Sequence, residues 1–187
     1  MKNKIIKLFG FVMLAQICLF ACCGDDFNVF ISSFEFSALD DSDNDSASVA
    51  NENFNLQLRT NYQVDMASLL SKNSGFINMA NATSCDDAYT FTKRVETVTL
   101  TANVPLFGIP AGTSLNEHVI VEFAFNEGNQ LTMNDLLLET NNNINDFETF
   151  LRFDTAIPTE TVVSFTMTTV FENDEEIVNT TTAVTFE

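Results

Sequence analysis

The sequence predicts an all-β fold, an immunoglobulin-like antiparallel β-sandwich with short helical inserts, over residues 28–187. Three observations carry this reading. Apolar residues recur with period two through most of the chain, as they do where one strand face is buried and the other is wet. Thr and Val crowd the same segments, and β-branched side chains suit a pleated surface. Helical signals are short and sit between the alternating stretches, where a sandwich accommodates inserts. The chain has 187 residues, 45% of them hydrophobic. That is enough for one packed domain and too many for a disordered chain.

The elements follow in order. Residues 28–38 place Phe30, Phe34, Phe36 and Ala38 on one parity, with Val29 and Ile31 opposite. Residues 53–64 alternate most cleanly: Phe54, Leu56, Leu58, Thr60, Tyr62 and Val64 against Asn53, Asn55, Gln57, Arg59, Asn61 and Gln63. Asp65 is positioned to cap a helical turn through Leu70. Residues 95–104 set Val98, Leu100, Ala102 and Val104 against Thr97, Thr99, Thr101 and Asn103. Pro105, Gly108, Pro110 and Gly112 mark a long turn. Val119, Val121, Phe123 and Phe125 then share a strand face. Thr132 precedes Met133 to Leu137 with Asp135 at the third position, the pattern of a capped single turn. Asn145 or Asp146 stands where a cap would begin a short helix from Phe147 to Phe153, with Phe147, Phe150 and Leu151 on one side. Val163, Phe165, Met167 and Phe171 form another strand face. Val178, Val184 and Phe186 belong to a last strand over residues 177–186, joined to its predecessor by a hairpin loop from Glu172 to Glu176.

Charge and composition narrow the function. Twenty-six acidic groups against 8 basic ones leave a net charge of -18. Nucleic acid is excluded as a partner, because phosphate contacts need clustered Lys and Arg. His118 is the only imidazole and has Glu117 beside it, but no Ser or Cys stands in a nucleophile context, so the expectation is a protein without enzymatic activity. The acids are numerous and nothing singles out a catalytic pair. Asp41, Asp43, Asp45 and Glu52 place oxygen ligands at calcium-loop spacing. Ser46 stands where such a loop needs Gly, and the flanks read as strands, which favours a solvated acidic loop. The run Asn141 to Asp146 offers amides to a cation or to sugar hydroxyls, although Asn equally suits turns. The absence of Trp, with only 2 Tyr, argues against a sugar-stacking platform. The 19 Phe fall mostly on the buried parity of strands.

Residues 1–21 read as a secretory signal. Lys2, Lys4 and Lys7 form a positive start, and Leu8 to Phe20 is an apolar run too short to cross a bilayer. Leu19-Phe20-Ala21-Cys22 resembles the bacterial lipobox, which implies cleavage before Cys22 and acylation of that residue. Several acyl chains anchor stably where one is marginal. Cys22-Cys23-Gly24-Asp25-Asp26-Phe27 resembles the acidic export signal of Bacteroidota lipoproteins, which implies display at the outer surface of the outer membrane. Residues 22–27 then serve as a short tether. Cys22-Cys23, Cys85, Asn116-Glu117-His118, Asn134 to Glu139 and the closing segment 161–186 together resemble Bacteroidota-type surface lipoproteins whose all-β domain has no assigned activity. That resemblance implies location and topology, and no chemistry.

With Cys18 removed and Cys22 acylated, Cys23 and Cys85 remain in an oxidising compartment, and a disulfide between them is expected. Asp45-Ser46-Ala47 and Asp154-Thr155-Ala156 resemble the short Bacteroidota O-glycosylation motif, which implies Ser46 and Thr155 as acceptors. The leading expectation is a surface lipoprotein acting as a non-enzymatic binding or structural module for a protein or glycan, held to the membrane by lipid and without a cofactor. A calcium-dependent carbohydrate-binding accessory is the alternative. A secreted hydrolase, resting on His118 and spare acids, is the third.

Overall fold

The computed structural model describes residues 26–40, 44, 48–51, 54–64, 88–124, 130–144 and 148–187. The described residues form an all-β structure with one α-helix among them, and the chain divides into two compact units. The first comprises Met1–Val29 and Val64–Thr92; the second comprises Phe30–Gln63 and Lys93–Glu187. The segments Asp65 to Leu70 and Phe125 lie outside the described residues.

In the first unit, the opening residues of β1 (Asp26–Leu39) run parallel to β4 (Ala88–Phe91), with Phe27 opposite Tyr89. Their rings stack with centroids 5.6 Å apart. The Thr92 N–H donates to the Val29 carbonyl at 2.9 Å and continues the ladder one step.

In the second unit, β1 lies beside β3 (Asn55–Val64), then β7 (Glu148–Phe153), then β6 (Val119–Phe123). A second sheet orders β10 (Glu176–Thr180), β9 (Phe165–Phe171) and β5 (Val95–Ala102). A third, small sheet orders β2 (Ser48–Val49), β11 (Val184–Phe186) and β8 (Val162–Val163). β3–β7, β6–β7, β5–β9, β9–β10 and β8–β11 pair antiparallel. β1–β4 and β2–β11 pair parallel, so the ladder is not antiparallel throughout.

The alternation read from the sequence becomes the core. Leu56, Leu58, Val98, Leu100, Val121, Leu151, Val163, Phe165, Met167, Phe171, Val184 and Phe186 join one buried cluster drawn from all three sheets. Burying each such side chain contributes about 1.5–3 kcal/mol. β5 slips register between Val95 and Thr97. That bulge lets Val95 and Val98 both face inward although their parities differ.

Two expectations are corrected here. The segment expected to be a helix from Phe147 to Phe153 is strand β7 from Glu148 onward. Its Thr149 and Leu151 are buried and it is hydrogen-bonded on both sides; period two wins because the strand sits inside a sheet. The expected strand 177–186 is two strands in two different sheets, and Val178 is exposed rather than packed with Val184 and Phe186. Thr181 makes the break: its N–H donates to the Phe165 carbonyl, and its hydroxyl accepts from the Phe165 N–H at 3.1 Å.

The capped turn after Thr132 extends into helix α1 (Met133–Asn142). Thr132 and Asp135 form a reciprocal capping box, and Met133, Leu136 and Thr140 turn inward. Just before it, Leu131 exchanges two backbone hydrogen bonds with Val121, covering part of the open side of β6.

Candidate functional site

The end of β7 builds the site. Beyond Phe153 the chain crosses over the core through Asp154 to Ile157, and Ile157 is buried. The Asn51 side chain pins that crossing. Its Nδ2 donates to the Ile157 carbonyl at 2.6 Å and its Oδ1 accepts from the Ile157 N–H at 2.7 Å, as a neighbouring strand would. Between them lies a cavity of about 390 Å³, lined by Asn51, Phe54, Arg152, Phe153, Thr155, Ala156 and Ile157. That size is in the range of small-molecule sites.

Its floor is rigid. Phe54 and Phe153 stack nearly parallel, at 4° with centroids 6.4 Å apart. Phe165 lies 5.6 Å from Phe54 and 5.3 Å from Phe153, and Phe186 meets Phe54 edge-on at 4.8 Å. Such ring pairs contribute about 0.5–1.5 kcal/mol each beyond their buried area. Among the described residues the rim carries one cation, Arg152. Arg152 Nε donates to Asn55 Oδ1 at 2.6 Å, and its Nη1 lies 3.3 Å from a Glu122 carboxylate oxygen. The guanidinium is therefore held in place before any ligand arrives.

Asp154 turns away from the cavity toward His118, which ends a short 3-10 turn, Asn116–His118. The imidazole Nδ1 lies 3.1 Å from Asp154 Oδ1, and the Asp154 N–H donates to the His118 carbonyl at 3.0 Å. The Phe107 ring sits 5.0 Å from the imidazole. The partner of His118 is thus Asp154 and not its sequence neighbour Glu117. The Thr155 hydroxyl donates to the same Asp154 oxygen at 2.9 Å. Asp154 thus accepts from the Thr155 hydroxyl and faces the His118 imidazole with the same oxygen.

Other candidates fall elsewhere. Asp41, Asp43, Asp45, Ser46 and Glu52 lie outside the described residues, as do Cys22, Cys23 and Cys85. Beside the acidic loop, the Asn44 N–H donates to Asp40 Oδ1 at 2.9 Å and the Asp40 N–H to the Asn44 carbonyl at 3.0 Å. Among the described residues no group of three or more His, Cys, Asp or Glu could hold a metal ion. Thr155 is exposed, and it lines the cavity. Asn141 belongs to α1, and its amide is spent on the backbone of Val95 at 2.8 Å in both directions. Among the described residues no helix is long and apolar enough to cross a membrane.

Sequence reasoning placed Phe54 on the buried face of its strand, and did not single out Arg152 or Asn51. The readable signal was the order Arg152-Phe153-Asp154, a basic residue at a strand end in a chain with only 8 basic residues. No family model, curated protein or solved structure matches the chain.

Proposed function

We propose that the protein is an outer-membrane lipoprotein, anchored through Cys22 and facing the cell surface, whose folded domain is a non-enzymatic binding module with its ligand site at the Phe153 cavity. The cavity carries the binding reading. A rigid aromatic floor and one prepositioned guanidinium suit capture of a ligand by an apolar face and a hydrogen-bond acceptor. We read the two larger sheets as the halves of an immunoglobulin-like sandwich, a reading supported by the single core their side chains share. A Cys23–Cys85 bridge would tie the domain to its anchor and contribute about 4 kcal/mol through the unfolded state.

A thermal-shift screen of small ring compounds against the wild type and Ala156→Trp tests the site. Ala156 is exposed on the cavity wall, so Trp fills the space without entering the core. A ligand at 100-fold its Kd stabilises by about 2.7 kcal/mol. Stabilisation of the wild type but not of Ala156→Trp is expected; equal stabilisation of both would remove the cavity as the site. Fatty-acid labelling that persists in Cys22→Ala would refute the anchor.

A further inference from the structure

We propose that β10 is an open strand edge through which two copies of this chain pair antiparallel, joining their second sheets into one. Such pairing goes beyond the binding reading and does not depend on it. The second sheet has two edges, and they differ. The β5 edge is filled: the Leu100 N–H donates to the Asn116 side chain, and the Asn116 amide donates to the Val98 carbonyl. The Gly112 and Leu115 N–H groups donate to the Ala102 and Leu100 carbonyls. β10 has no such cover among the described residues. The Thr181 N–H donates to the Phe165 carbonyl, and the Phe171 N–H to the Glu175 carbonyl. Bonded and unbonded pairs alternate along an antiparallel ladder. Ile177 and Asn179 therefore bond to β9, while Glu176, Val178 and Thr180 turn their N–H and carbonyl groups outward. The Val178 residue is also 55% exposed. The strand holds no Lys, Pro or bulge of the kind that guards an edge.

The charge pattern of β10 suits a second copy and fixes its register. Two-fold pairing about Val178 sets Val178 against Val178 and Glu176 against Thr180. Every outward residue of one copy then meets an outward residue of the other, and each exchanges both backbone bonds. The exposed Val178 side chains cover each other as an apolar cross-strand pair. The two Glu176 carboxylates are offset along the strand by about 14 Å. That exceeds the Debye length of about 8 Å at physiological salt. Shifting the centre toward Glu176 brings like charges together, along with the acidic turns from Glu172 to Glu176. Shifting it toward Thr180 carries Glu176 past the end of the partner strand. A parallel join would run the acidic turns side by side. One short strand edge buries less than the ~1,200 Å² of a standard interface, so the dimer is weak and reversible.

Sedimentation equilibrium of the intact folded protein, read alongside amide hydrogen exchange, tests this pairing. A dimer with Kd on the order of 0.1 mM is expected at about 0.15 M salt. It should tighten as salt rises, because screening relieves repulsion between two chains of net charge -18 each. The Val178 amide should exchange faster than those of Ile177 and Asn179 in dilute solution, and slow as the dimer forms. Val178→Lys sets two ammonium groups opposite each other and should weaken the dimer about tenfold. Val178→Pro removes an outward N–H and no bond to β9, so it should keep the fold and lose the dimer. If that variant does not fold, Val178→Lys carries the test. Thr180→Lys should tighten the dimer several-fold, since each new ammonium faces Glu176 of the second copy. Thr97→Lys adds the same charge on β5, away from the edge, and should have the smaller effect. A dimer unmoved by Val178→Lys, or weakened by Thr180→Lys, would overturn the proposal. So would a chain that stays monomeric to about 1 mM, which would leave the edge to a strand from another protein.

Discussion

Three asparagine side chains act as stand-ins for a missing strand. Asn51 exchanges two hydrogen bonds with Ile157. Asn141 does the same with Val95. Asn116 accepts from the Leu100 N–H at 2.9 Å and donates to the Val98 carbonyl at 2.8 Å. With Leu115 and Gly112 donating to Leu100 and Ala102, the side of β5 away from β9 is closed to strand addition. Asn141→Ala would strand the Val95 N–H and carbonyl, at a cost of about 2–3 kcal/mol. Urea unfolding should show that loss, and a change below about 0.5 kcal/mol would mean that water takes over both bonds. Sequence reasoning assigned Asn141 to a polar turn. Its partner lies 46 residues away, and local pattern carries no sign of it. Asp135 was legible, because the capping box is local. The Thr132 backbone N–H, and then the Thr132 hydroxyl, hold its carboxyl below the ordinary range. A depressed pKa in the folded state contributes stability above the unfolded value near 3.9, and that contribution is lost as pH falls through the folded value. Asp135→Asn should therefore lower Tm at pH 7 and converge with the wild type as pH falls below the folded value. A constant gap across that range would show that the charge is irrelevant.

At the scale of elements, the segment from Phe147 to Phe153 shows why short apolar runs mislead. Phe147, Phe150 and Leu151 share a helical face, while Thr149 and Leu151 share a strand face, and a run this short satisfies both patterns. The sheet decides, because β3 and β6 supply hydrogen-bond partners on both sides. Helix α1 was underestimated for a related reason: the cap was visible, but its last turn depends on Thr140 being buried. The turn at Phe107-Gly108 was legible as a turn and not as a hairpin. Leu106 and Ile109 exchange two backbone bonds around it, at 3.1 and 2.7 Å. Both central residues have positive φ, 54° at Phe107 and 80° at Gly108, as a two-residue hairpin with right-handed twist requires. Phe107 tolerates that conformation while its ring packs on His118 and on Phe153 at 5.3 Å. A methyl added at Gly108 meets nothing within 4 Å, so Gly108→Ala isolates backbone strain. It should cost about 1–2 kcal/mol, read by thermal unfolding. A neutral result would show that the hairpin relaxes to another turn.

For the whole molecule, the core parity was legible because burial imposes period two on each strand, as in Leu56–Leu58 and Phe165–Met167. The division into three sheets was not, since it depends on single breaks such as Thr181. Charge was legible from composition, and it has a consequence for the fold. A net charge of -18 is set against a few exposed pairs, among them Lys93 with Glu175 and Arg59 with Glu148. The Lys93 ammonium, and then the Asn173 side chain, hold the Glu175 carboxyl below its usual range, at a site open to solvent. Salt weakens such pairs, each worth at most about 1 kcal/mol. It also screens repulsion among the surplus carboxylates, which act over many more pairs of charges. At about 10 mM salt the Debye length is about 30 Å, so most carboxylates within one domain repel each other; at about 0.15 M it is about 8 Å, and only near neighbours do. Repulsion should win this competition. Tm should therefore rise between those two salt concentrations, by roughly 2–4 °C for each kcal/mol of repulsion removed. Sodium chloride and tetramethylammonium chloride should act alike, because screening depends on ionic strength. A Tm that falls with salt would mean that the few ion pairs outweigh the surplus charge. A rise with calcium alone, at matched ionic strength, would point instead to a specific cation site in the acidic loop.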